Sequence, residues 1–91
     1  MELLYSNHAV KQMFNRSIST DEVEFTLKNG STIIEYPEDK PYPSKLILAF
    51  CNKRPIHVVC SYVPAENKMI IITTYVPSVE LWKDDFKTRK K

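Results

Sequence analysis

The chain predicts an α+β domain: two short N-terminal helices packed on a four-stranded antiparallel sheet, with a short helical segment at the C-terminus. Three observations carry this. Apolar residues recur with helical spacing as far as Leu27 and with strand spacing from Ser31 onward. Asn29-Gly30 stands between the two regimes as a helix stop. The strand-like runs are separated by short turns, which favours a meander of antiparallel neighbours. A length of 91 residues suits one domain, and residues 1–91 are read as one, with no repeat or linker.

Residues 6–16 read as the first helix, with Ser6 or Asn7 able to cap it. At ~100° per residue, Ala9, Val10, Met13 and Phe14 share one face, which is expected to be buried. His8, Lys11, Gln12 and Asn15 share the other, with Arg16 at its edge. Residues 19–29 read as the second helix. Ser19 at the N-cap and Glu22 three residues on have the spacing of a capping box. Asp21, Glu22 and Glu24 suit the positive end of the helix dipole. Gly30 is expected to end the helix in the left-handed conformation. Val23 and Leu27 face inward, and Phe25 falls off that stripe.

Strands are expected at Ser31–Tyr36, Lys45–Cys51, Ile56–Val63 and Met69–Tyr75. Pro37, Pro41 and Pro43 make 37–44 an extended loop; residues 52–55 and 64–68 are turns. On the third strand Ile56, Val58, Cys60 and Tyr62 point one way, and His57, Val59, Ser61 and Val63 the other. On the fourth, Ile70, Ile72 and Thr74 oppose Met69, Ile71, Thr73 and Tyr75. Pro77-Ser78 starts a last helical turn holding Leu81, Trp82 and Phe86. The helices cover one sheet face, so the other is open or covered by this last segment alone.

Several function classes are disfavoured. No apolar run approaches the ~20 residues that span a membrane, and the N-terminus lacks the pattern of a signal peptide. Cys51 and Cys60 fit free thiols in a reducing cytoplasm rather than a disulfide framework or a zinc site. One glycine leaves no room for a Gly-rich phosphate loop, and the expectation is no metal and no cofactor. Glu35, Glu38 and Asp39 show no metal-ligand spacing. The net charge is only +2, but Lys83, Lys87, Arg89, Lys90 and Lys91 crowd the C-terminus; such a tail follows phosphate or simply stays solvated.

Candidate chemistry is confined to a few side chains. His8, with Lys11 one turn on and Arg16 two, suits a general base or phosphate ligand, or an ordinary solvated helix face. His57, inside an apolar strand, must face an open side or find a hydrogen-bond partner. Arg16, Lys11 and Arg54 suit a phosphate or plain surface charge. Tyr75 and Trp82 suit stacking on a base or rim packing.

The run from Asn7 to Ser19, the Gly-led strand Gly30–Tyr36, the strand Arg54–Val59, the run Ile72–Pro77 and then Trp82 resemble, in that order, a family of small bacterial proteins catalogued as a domain of unknown function. That family resembles RelE-like toxins and the ribonuclease fold shared with barnase, EndoU and colicin nucleases. The resemblance implies a cytoplasmic, metal-independent endoribonuclease of a toxin–antitoxin system. In it the 2′-hydroxyl attacks the adjacent phosphate. It gives acid–base roles to His8 and His57, charge stabilisation to Arg16 with Lys11, and positioning to Tyr75. Lys11, Arg54 and Trp82 would bind RNA, and an antitoxin would cover the active face. The net charge is weaker than is usual for ribosome-directed RelE-type toxins. Two other classes fit the same residues: a non-catalytic protein-interaction domain, and a small domain that dimerises through its sheet.

Overall fold

The computed structural model describes residues 1–90. Its elements run β1 (Glu2–Tyr5), α1 (Asn7–Arg16), α2 (Thr20–Asn29), β2 (Ser31–Tyr36), β3 (Ser44–Cys51), β4 (Arg54–Val63) and β5 (Lys68–Tyr75), with a 3₁₀ turn at Pro64–Glu66 before β5. The α+β layering and both helices agree with the sequence. The sheet does not: it has five strands in the order β1-β5-β4-β3-β2 and is mixed, because β1 pairs parallel with β5. Glu2–Tyr5 has only four residues and no turn signal behind it. It is a strand because Lys68–Ile71 offers it an open edge.

Ser6 fixes the start of α1. Its Oγ accepts from the Ala9 N–H at 3.0 Å and donates to the Ile72 carbonyl at 2.7 Å. Its own N–H donates to the Ile71 carbonyl at 3.0 Å. These bonds set the rotation of the helix. Ala9 is fully buried and Met13 packs on the core, as expected. Val10 and Phe14 do not: they are 52% and 86% exposed. The inward arc is therefore centred nearer Ala9 and Gln12 than the apolar pattern suggested. Ser17, at φ 53°, ends the helix by donating its N–H to the Met13 and Phe14 carbonyls.

In α2 the capping box forms in both directions between Ser19 and Glu22. Gly30 follows it with φ −79°, extended rather than left-handed. Its need for glycine is steric. A Cβ there would sit 2.5 Å from the Thr26 carbonyl oxygen, 2.6 Å from an Ile47 methyl and 2.7 Å from the Leu48 carbonyl oxygen.

The helices bury one sheet face, where Ala9, Val23, Ile47, Ile56, Val58, Cys60 and Ile71 form the core. Fully burying a side chain such as Ile56 or Ile71 contributes about 1.5–3 kcal/mol each. Asn52 and Lys53, both at positive φ, close the tight β3–β4 hairpin. Between β4 and β5 a bulge at Ile72 breaks the alternation: Cys60 faces Ile71, but Val59 faces Thr73. Ile71 and Thr73, expected on one side, thus point to opposite faces.

The second face holds Leu46, Leu48, His57 and Ser61, all buried. Residues 76–90 cover part of it, but not as a helix. The Asp85 carboxylate takes the N–H groups of Lys87 and Thr88 at 2.9 and 3.1 Å and the Thr88 hydroxyl at 3.0 Å. Such local side-chain bonds compete with helix formation. The segment instead folds back on itself, pairing Trp82 with Arg89. Among the described residues, no helix is long and apolar enough to cross a membrane.

Candidate functional site

His57 is central in β4, with Leu48 beside it on β3 and Tyr75 on β5. It is 0% exposed. Its Nε2 lies 2.7 Å from the Phe86 carbonyl oxygen and its Nδ1 3.3 Å from the Tyr75 hydroxyl. The carbonyl only accepts, so Nε2 carries the hydrogen and Nδ1 accepts the tyrosine O–H. Trp82 meets the ring edge-on at 4.6 Å between centroids, and Tyr75 at 5.3 Å. The Arg89 guanidinium lies over Trp82, 5.3 Å from its ring centre. Burial pushes the His57 pKa down, against the opposing pull of the Phe86 carbonyl. Burial and then Tyr36 push the Tyr75 phenol up, against Arg89, so it keeps the proton its bond to Nδ1 needs. His57 is thus a neutral fastener, holding residues 82–86 onto the sheet with both ring nitrogens engaged.

His8 lies elsewhere. It is exposed on α1, which packs over β5 on the helix-bearing face, whereas His57 points to the opposite face. The fold thus places His8 and His57 on opposite sides of the sheet. Lys11 and Asn15 are exposed beside His8 at helical spacing.

Arg54 is taken up by structure. Its Nη2 donates to the Arg16 carbonyl at 2.7 Å and its Nη1 to the Ser17 carbonyl at 3.2 Å. Glu22 lies 3.5 Å from the same guanidinium. The sequence left Arg54 between a phosphate contact and plain surface charge; the fold uses it to cap the end of α1. Arg16 keeps an exposed side chain while its carbonyl serves Arg54. Trp82 is 3% exposed and offers no free face to a base. So His57, Tyr75 and Trp82 converge on one face, His8 and Lys11 on another, and Arg54 joins neither group.

What sequence reasoning missed is the outward side of α1. There Val10 and Phe14, one turn apart, stand in solvent next to Lys11. The signal was present in Ala9: within an apolar arc, the smallest side chain marks where the helix touches the sheet. Among the described residues no three His, Cys, Asp or Glu side chains converge as metal ligands. Cys60 is buried, and that burial pushes its thiol pKa up, only partly offset by Lys45.

No curated protein and no solved structure matched the chain. The family profile that does match covers residues 5–76, from the last residue of β1 to just beyond β5. The segment that covers His57 lies beyond that span. By this match the chain belongs to the family described as Domain of unknown function (DUF4258).

Proposed function

We propose that this domain binds another protein, without catalysis, through the outward side of α1. The observation that carries this is the Val10–Phe14 pair, 52% and 86% exposed, one turn apart on a helix capped at both ends. Leaving a Phe side chain in water forgoes about 1.5–3 kcal/mol that burial would supply. A contiguous exposed apolar patch rimmed by polar residues marks an interaction surface, and Val10 and Phe14 are neighbours at i and i+4. The buried, fully bonded His57 supports the absence of catalysis. The test is a photo-crosslinking amino acid placed at position 14 in producing cells, with position 38, also exposed, as control. A discrete heavier adduct at 14 and none at 38 is expected. An unmodified chain at both positions would sink the reading.

A second reading keeps metal-independent RNA cleavage, with an antitoxin shielding the site. It is favoured by one observation: His8, Lys11 and Asn15 lie on one exposed side of α1, where a base and a cation reach one phosphate. Induced expression in a bacterial host tests it. Growth arrest relieved by His8→Ala supports cleavage; growth unaffected by the wild-type chain removes it.

A further inference from the structure

We infer that the segment docking on α1 is acidic and amphipathic: two aliphatic or aromatic side chains one helical turn apart, set among aspartates or glutamates. This rests on the protein-binding reading and names the partner's chemistry.

The apolar half follows from spacing. Val10 and Phe14 stand four residues apart on one helix, a separation that matches anchors at i and i+4 of a partner helix. The acidic half follows from charge. From Asn7 to Arg16 the helix carries His8, Lys11 and Arg16 and not one Asp or Glu. The ion pairs among the described residues engage Arg54 and Lys68, not Lys11 or Arg16. Lys11 is three residues before Phe14, so an acid placed beside a bound apolar anchor meets an unpaired ammonium.

The same arrangement argues against the other occupants. A second copy, docked face to face through Val10 and Phe14, would bring Lys11 toward its own equivalent with no carboxylate on either helix. RNA supplies phosphates for Lys11 and bases for Phe14, but it leaves the aliphatic Val10 uncovered.

The experiment uses the full chain, a displayed library of random 16-residue peptides, and a labelled 20-nucleotide RNA. Phe14 and Val10 are exposed, so Phe14→Asp and Val10→Asp are expected to fold, as circular dichroism checks. The recovered pool should be rich in Asp and Glu and poor in Lys and Arg relative to the input. Recovery should fall to background with Phe14→Asp and with Val10→Asp. The change Lys11→Glu should weaken selected acidic peptides roughly threefold or more. A pool lost with Phe14→Asp but without acidic enrichment would overturn the acidic partner and leave the protein-binding reading standing. Recovery indifferent to Phe14→Asp, or none at all by folded protein, would remove both. RNA binding that depends on Lys11 and not on Phe14, with no acidic peptides recovered, would overturn the inference in favour of nucleic acid.

Discussion

With one ring nitrogen on the Phe86 carbonyl and the other on Tyr75, His57 is held neutral in a buried site, and that has a sign in pH. The folded pKa lies below the unfolded value near 6.5, so the unfolded chain takes the proton first. The stability that His57 contributes is whole above about pH 6.5 and is lost as pH falls through the folded pKa. At neutral pH, His57→Ala should cost about 2–4 kcal/mol, through a cavity and an orphaned carbonyl. In urea melts the gap between wild type and variant should narrow from pH 7.5 to 5.5. A gap that stays constant would refute the neutral, buried histidine. Gly30 makes a second residue-level prediction. Gly30→Ala should destabilise by about 1–3 kcal/mol, at the upper end because two of the three close atoms are backbone oxygens that do not swing aside. Denaturant titration measures it; an unchanged midpoint would mean the strand yields. Sequence marked Gly30 as a left-handed helix stop, whereas its need for glycine is a close approach to β3, which is distant in the chain. It likewise showed that a polar His57 among apolar neighbours needs a partner, while the partners, Tyr75 and Phe86, become adjacent only in the folded chain.

The two helices were legible almost to the residue because their ends are written in local chemistry: Ser6, Ser19 with Glu22, and the break at Gly30. The four later strands were legible from β-branched runs and short turns. β1 was not, because Glu2–Tyr5 has no strand signature apart from its pairing with β5. The facing of β5 was lost at the Ile72 bulge, since an extra residue in a strand leaves no mark in an alternating apolar pattern. Ser6 ties these unread features together, joining the α1 start to the bulge carbonyl. Ser6→Ala should cost about 1 kcal/mol or somewhat more, since it removes a cap and leaves the Ile72 carbonyl without that donor. Amide hydrogen exchange should quicken in residues 7–16 before it does in α2. Equal quickening in both helices would mean that Ser6 supports the whole domain rather than one element.

Over the whole molecule, the sheet has two buried faces of unequal make. The helix side is aliphatic, while the other is closed by Trp82 and the Phe86 carbonyl on His57, with Leu46 and Leu48 buried in the same face. Ending the chain after Val76 keeps the span shared with the family but uncovers that second face. The shortened chain should bind a hydrophobic dye and unfold with a lower urea midpoint; an unchanged midpoint would show that the segment is an ornament. The candidate site was the least legible part, because the relation of His8 to His57 depends on which face each occupies, which no local pattern encodes. The parallel β1–β5 pair has a consequence of its own in time. Ser6 and Ile72 are 66 positions apart, yet their bond sets how the first helix sits. On a ribosome, β1 and α1 emerge before β5, the last strand of the sheet to be made, and must wait for it. Closing so distant a contact is slow and favours folding in one late step over gradual accrual. Until then α1 lacks the bonds that seat it, and the sheet closes when its first and last strands meet.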